Sequence, residues 1–460
     1  MTLPPPQSEP ESDATLVVRL ESVVRTDVTL EGLFALLKRR PQLTLPVVWW
    51  WLTGRLAREV ATRTPLDVRW LPYRASGLAR LDRARERGVR TILVSRAASP
   101  LVDAVATHLG GFDQVHGGLR HDAAPPGLPA DFRLVTHAGD RSELAKGARW
   151  IEFADATPPS GAAAGDGHPS SVLRTWLRAL RVHQWAKNLL ILVPLLAAHR
   201  VGEPRLLLSA LIALAAFSAC ASSVYLVNDL LDLPSDRRHA TKSGRPFASG
   251  ALPLEAGPWL ALLLLTLAIG GAFLLSPAFV ALLATYWVIT LSYSLWLKQV
   301  AILDVLTLSG LYTVRLLAGA VATGVAVSDW LLIFSTFLFL SLALVKRFSE
   351  VQKLTEGGEG VHGRGYARED LPLLGQLGAA SGYLSVLVLA LYIHSPEISR
   401  LYARPGLLWL ACPLALYWVS RVWLLAQRGQ MDDDPVVFAL RDRASHVVAL
   451  LGLLLLWQAS

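Results

Sequence analysis

The sequence predicts a chain in two parts: a soluble α/β domain, then an all-α membrane bundle of nine transmembrane helices. Three observations predict this. Of 460 residues, 53% are hydrophobic and only 17% charged, where a soluble protein carries about 25% charged residues. Apolar runs approaching the ~20 residues needed to cross a bilayer begin only after Trp176. Before that point, short apolar segments alternate with amphipathic ones, the pattern of a layered domain with a parallel sheet. The net charge of +8 fits basic cytoplasmic loops, and no nucleic-acid partner is implied. Cys220 and Cys412 both sit in apolar runs and form neither a metal-ligand spacing nor a disulfide framework.

In the first part, Leu16–Leu20, Thr91–Ser95 and Phe132–Thr136 read as strands, and Leu78–Arg87 and Pro100–Leu109 as helices. Trp49–Trp51 marks a bulky apolar surface, either a cap helix or a membrane-facing patch. Met1–Asp13 is polar and proline-rich, unlike a signal peptide, so this domain is expected to stay in the cytoplasm. A Pro/Gly/Ala/Ser segment over 156–171 reads as a flexible linker. The expected division is therefore 1–155, linker, and 172–460. Three stretches, VVRLESVVRTD, ILVSRAASPLVDAVATHLGGFDQVHGG and HAGDRSEL, resemble the first, second and fourth motifs of the haloacid dehalogenase (HAD) phosphatase superfamily. The resemblance spans Thr15 to Phe153 and places Arg19 at the nucleophile, Glu21 at the acid/base, Ser95 at the second-motif hydroxyl and Asp140 at a magnesium acid. An arginine is no carboxylate nucleophile, and HDAAPPGLPAD has no lysine for the third motif. The expectation is a HAD-like fold without its phosphatase chemistry.

In the second part, nine apolar runs centre on Leu192, Ala216, Leu265, Tyr286, Leu311, Phe337, Leu387, Leu414 and Leu451, the last being the shortest. Bases concentrate after the second, fourth, sixth and eighth runs, as in Arg237, Arg238, Lys242 and Arg245, then Lys298, then Lys346 and Arg347, then Arg428. The positive-inside rule puts those loops and the N-terminus in the cytoplasm and the C-terminus outside.

Ionisable residues at membrane depth are costly and point to function. Asn228 and Asp229 continue an apolar run, and Asp229, Asp232 and Asp236 stand at i, i+3 and i+7. On one helix they would share about 60° of arc, although Pro234 threatens that helix. Clustered carboxylates repel unless a cation neutralises them, and magnesium takes oxygen ligands and bridges to phosphates. The bland reading is a loop in which these acids pair with Arg237, Arg238 and Lys242. A second cluster offers Tyr293, Lys298, Asp304 and Arg315; Asp304 and Arg315 lie too far apart on one helix to pair, so Arg315 needs another anionic partner. In RVHQWAKNLL, Arg181, Gln184 and Asn188 fall on one helical face, and Lys187 beside them suits phosphate. Asp432–Asp434 reads as a solvated loop, and His239 and His362 as no metal ligands.

NDLLDLPSD, and YSLWLK with Asp304, resemble the two signatures of the UbiA superfamily of intramembrane prenyltransferases, over Ser171 to Ser460. RVHQWAKNLL, DRRHATKSGRPFASG and LALVKRFSEV are most similar to the decaprenyl-phosphate phosphoribosyltransferase branch, with Ala240 standing where that branch usually has proline. The resemblance implies a magnesium-dependent transferase with a diphosphate leaving group, moving phosphoribose from phosphoribosyl diphosphate onto a polyprenyl phosphate in a bacterial inner membrane. It implies that Asp229 and Asp232 hold Mg2+ with help from Asp236, that Asn228 orients them, and that Lys242, Arg245 and Lys298 bind phosphates. Tyr293 would position the donor, Asp304 would contribute from the second motif, Arg315 would bind substrate, and Lys187 would bind the lipid phosphate. Two alternatives stay open: prenyl transfer from a polyprenyl diphosphate to an aromatic or other small acceptor, and a non-catalytic membrane protein.

Overall fold

The computed structural model describes residues 15–64, 66–119, 124–129, 131–136, 143–153, 169–239, 241–356, 365–395, 402–431, 434–439 and 441–459. Asp140, His362, Asp432, Asp433, Ala240 and most of the expected linker lie outside them. The chain divides into two compact units. One comprises Met1–Leu180 with Tyr225–Ala261, the other Arg181–Val224 with Leu262–Ser460. The first unit is thus larger than the expected 1–155 domain, because it includes the stretch that carries the acids.

In the first unit, five parallel strands form one sheet: β1 (Thr15–Arg19), β2 (Thr91–Val94), β3 (Gln114–His116), β4 (Phe132–Thr136) and β5 (Trp150–Phe153), in the order β3-β2-β1-β4-β5. The order reverses direction at β1, as in doubly wound α/β folds. β1 is buried along its whole length, which is why it reads as a continuous apolar run rather than an alternating one. Leu16, Val18 and Leu93 face one apolar cluster and Val17, Ile92 and Leu134 another. The expected α/β class is observed. Three strands and two helices lie within a few residues of expectation; β3 and β5 were missed because they are short and less apolar.

Helix Val28–Arg39 is capped by Asp27, whose carboxylate accepts from the backbone of Thr29 at 2.7 Å and Leu30 at 3.0 Å. Glu31 and Lys38 are seven residues apart on it and so share a face. That face meets the segment after Leu231: Glu31 takes Arg237 in a two-pronged ion pair at 2.9 and 2.5 Å, and Lys38 reaches Asp232 at 2.5 Å. Gly250 completes the join. It has φ +70°, and a Cβ there would lie 2.7 Å from that of Arg25, so the turn and the close approach both require glycine.

The second unit is helical. Among the described residues, seven helices are long and apolar enough to cross a membrane: Pro204–Leu231, Ala256–Phe273, Pro277–Leu295, Leu303–Thr323, Asp329–Lys353, Arg368–Ile393 and Pro405–Gln427. The first two of these extend into residues of the other unit. Nine were expected. The run around Leu192 is instead a 3-10 helix, Val182–Leu192, followed by the short Val193–Ala197 with Pro194 in its first turn. A 3-10 turn takes three residues, so Arg181, Gln184 and Asn188 do not share one face as an α-helix would have them do. The last run gives only Arg443–Ala459. At Gly319, a Cβ would meet the Ile191 carbonyl oxygen at 2.0 Å; the 3-10 segment packs against Leu303–Thr323 through this glycine.

Candidate active site

In the first unit, the long helix ends at Leu231 and a new one begins at Leu233, with Asp232 at the junction and Pro234 in the first turn. Proline has no N–H to continue a helix but suits a first turn. The three acids therefore do not lie on one helical face. Asp229 and Asp236 nevertheless converge, since both accept from the same guanidinium nitrogen of Arg245, at 3.2 and 2.7 Å. Asp232 turns to Lys38 instead. Asp229 and Asp236 are buried, and burial pushes the Asp236 carboxyl above its usual range against the pull of Arg245. Of the bases expected to pair with these acids in a plain loop, Arg237 turns away to Glu31; the acids meet Arg245 and Lys38. Asn228 and Lys242 are half-buried nearby in sequence, and the Asn228 carbonyl accepts from Asp232 N–H at 2.9 Å.

Among the described residues, no group of three or more His, Cys, Asp or Glu is placed to hold a metal ion. Two carboxylates sharing one cation do fit a divalent ion in chemical kind, because the pair already requires a positive charge between them.

The second unit holds a separate cluster. Asp304, in the first turn of Leu303–Thr323, is fully buried. It accepts from the Tyr366 hydroxyl and forms an ion pair with Arg347 at 2.7 Å. Arg347 also pairs with Glu350, and Tyr293 lies within their electrostatic reach. Just before Asp304, Ile302 adopts φ 66°, a costly conformation for a β-branched residue. The Tyr366 hydroxyl accepts its N–H at 2.8 Å and so ties this strained backbone to the acid. Lys298 is half-buried in a short 3-10 turn, Leu297–Gln299.

Among the described residues, no acid meets Arg315, which was expected to need an anionic partner. Its Nε donates to Asn188 Oδ1 at 2.9 Å and its Nη2 to the Tyr286 hydroxyl at 3.2 Å. Its guanidinium carbon lies 5.3 to 5.6 Å from the ring centres of Tyr312, Tyr286 and Phe217, so aromatic faces take the place of a carboxylate. Asn188 is itself held by donating to Ser218 Oγ at 2.9 Å. Lys187 pairs with Asp434 and stands 5.7 Å from the Tyr312 ring. Asp434 is therefore no solvated loop acid.

Sequence reasoning missed Lys38 and Glu31, which sit far from any acid motif, and Tyr366, which follows a polar, glycine-rich stretch of sequence. Arg347 was visible only as a loop base. The i, i+7 spacing of Glu31 and Lys38 on a mostly apolar helix was the one available signal.

The description "UbiA prenyltransferase family" matches residues 189–442, more than half of the chain. "Uncharacterized protein y4nM" of Sinorhizobium fredii is 35% identical over 94% of this chain and 88% of that protein. "Nodulation protein NoeC" of Azorhizobium caulinodans is 35% identical over 61% of this chain and 91% of that protein. "Decaprenyl-phosphate phosphoribosyltransferase" of Mycobacterium tuberculosis is 29% identical over 61% of this chain and 93% of that protein. A multi-pass helical architecture, acid clusters in the two expected motifs and a family match across most of the membrane half agree: this chain belongs to the UbiA prenyltransferase family and is a membrane transferase.

Proposed function

We propose that this transferase moves phosphoribose from phosphoribosyl diphosphate to a polyprenyl phosphate. The observation that carries the reading is the convergence of Asp229 and Asp236 on Arg245, a cation site flanked by bases suited to phosphates; relatives named for this reaction support the choice of donor. Magnesium, when bound, supplies charge neutralisation for the departing diphosphate. Asp229 and Asp236 would hold it, and Asp232 would assist once released by Lys38. Arg245 and Lys242 then hold donor phosphates, and Asn228 keeps the Asp232 backbone in place. The bond from ribose C1 to the diphosphate breaks as an oxygen of the lipid phosphate attacks C1, and fixed positive charge at the leaving group lowers that barrier. In the second unit, Asp304 and Tyr366 position Arg347, while Tyr293 and Lys298 face substrate. Lys187 and the caged Arg315 serve the lipid phosphate. The bases after Asp236 favour a donor with an additional phosphate over a prenyl diphosphate. The first unit is HAD-like without phosphatase activity, with Arg19 buried at the end of β1, and faces the cytoplasm.

The test incubates membranes holding the chain with magnesium, polyprenyl phosphate and labelled phosphoribosyl diphosphate. Label is expected in the lipid phase, falling by about 10²–10³ in Asp229→Asn, the scale of losing one electrostatic stabiliser. Transfer only from a polyprenyl diphosphate to a small acceptor would overturn the phosphoribosyl reading.

A further inference from the structure

Helix Thr44–Leu52 shows an apolar face to the outside. Leu45 is 82% exposed and Trp51 63%, and Val48, Trp49 and Leu52 are exposed with them. Trp50 turns inward, packing with Leu33, Leu36 and Val60 while the Arg63 guanidinium lies 4.9 Å from its ring, and the half-buried Val47 packs against the same cluster. One tryptophan thus fixes the helix to the domain and two are presented outward. Single exposed apolar residues are ordinary on a soluble surface; five within nine positions form a patch that marks an interaction site. The rim is basic. Arg39 and Arg40 precede the helix and Arg55 and Arg58 follow it, all exposed. From Lys38 to Arg63 the sole acid is Glu59, and it is bonded to Arg63 at 2.9 Å. Helix Pro169–Ala179, which precedes the first apolar run, repeats the composition, with Val172, Leu173 and Leu177 exposed beside Arg174 and Arg178.

We infer that the Thr44–Leu52 helix is an interfacial anchor that seats Trp49 and Trp51 in the headgroup layer of an anionic bilayer. Tryptophan favours that layer because its ring is apolar and its N–H polar. Arginines beside it are drawn to anionic headgroups. A protein partner would have to supply both an apolar pocket and acids for four arginines; an anionic lipid surface supplies both at once, and the chain is already a membrane protein. The inference is independent of which donor the enzyme uses.

The test places the full chain in nanodiscs of mixed phosphatidylglycerol and phosphatidylcholine. An environment-sensitive fluorophore is attached at Val48→Cys, or at Glu86→Cys as the exposed control, with Cys220→Ser and Cys412→Ser in both. The Val48 label is expected to emit to the blue and to be quenched by lipid-attached nitroxide roughly twofold or more above the control, as for a shallowly inserted helix. Replacing Arg39, Arg40, Arg55 and Arg58 together by serine is expected to bring that quenching toward the control. Three results would overturn the inference: quenching by aqueous iodide equal to the control, a blue shift without lipid quenching, which means that protein covers the face, or quenching unchanged without the arginines.

Discussion

Asp229 and Asp236 share Arg245, a side chain still 26% exposed, and Asp232 meets Lys38, 25% exposed. Asp304, in the other unit, meets Arg347, which is 1% exposed, and is itself shut off from solvent. Both clusters neutralise acids with bases, but they differ in what exchange would cost. A half-solvated arginine or lysine gives up a carboxylate at little cost, since water takes over its hydrogen bonds. A guanidinium sealed among apolar side chains leaves an uncompensated charge behind if its partner goes. The first cluster is therefore suited to trade protein cations for a metal and a donor, and the second to hold its geometry through turnover.

Breaking the sealed pair should have the largest effect. Asp304→Asn or Arg347→Met alone is expected to cost about 3–5 kcal/mol, and the double replacement less, because neither Asp304 nor Arg347 is then stranded and Glu350, which also loses Arg347, is 24% exposed and keeps contact with water; thermal unfolding in detergent measures both. If the singles and the double are alike, the pair is not sealed and the contrast fails. Glu31→Gln comes next. It strands the buried Arg237 and is expected to cost about 3 kcal/mol, and to speed tryptic cleavage after Arg238 and Lys242 as that segment loosens from its helix. Unchanged cleavage would show that the α/β domain does not brace the acid segment. Gly319→Ala should cost about 1–3 kcal/mol, the range for overpacking, since its new methyl would meet the Ile191 carbonyl; an unshifted melting temperature would contradict that close packing. The exchangeable cluster should give the smallest stability change. Lys38→Gln is expected to cost less than about 1 kcal/mol and to lower the magnesium concentration that half-saturates a thermal shift, since a competing cation has gone. A raised half-saturation would make Lys38 a helper of the metal rather than its competitor.

The acid-rich stretch and its continuity with an apolar run were legible in the sequence, because charge at membrane depth is costly and persists where function needs it. The shared helical face was not: Pro234 starts a second helix after Leu231, and the convergence of Asp229 and Asp236 comes from Arg245, sixteen residues beyond Asp229. For Arg315 the cost of burial was legible, but of the three rings that meet it only Tyr312 is on its own helix; Phe217 and Tyr286 come from two others. Apolarity alone makes the run around Leu192 look like a span, because it does not distinguish a 3-10 segment followed by a short helix with Pro194 in its first turn from one long α-helix.

Hydropathy and strand–helix alternation by themselves determined an α/β part and a helical membrane part, and the resemblance of two local acid motifs pointed to a transferase of the UbiA kind. These are properties of short windows, set by burial and backbone periodicity. Only the tertiary structure decided which cation faces which acid. It joined Glu31 to Arg237 across 206 residues of chain, Lys38 to Asp232 across 194 and Tyr366 to Asp304 across 62. A charge is paired by proximity after folding, and no local pattern encodes a partner that far away.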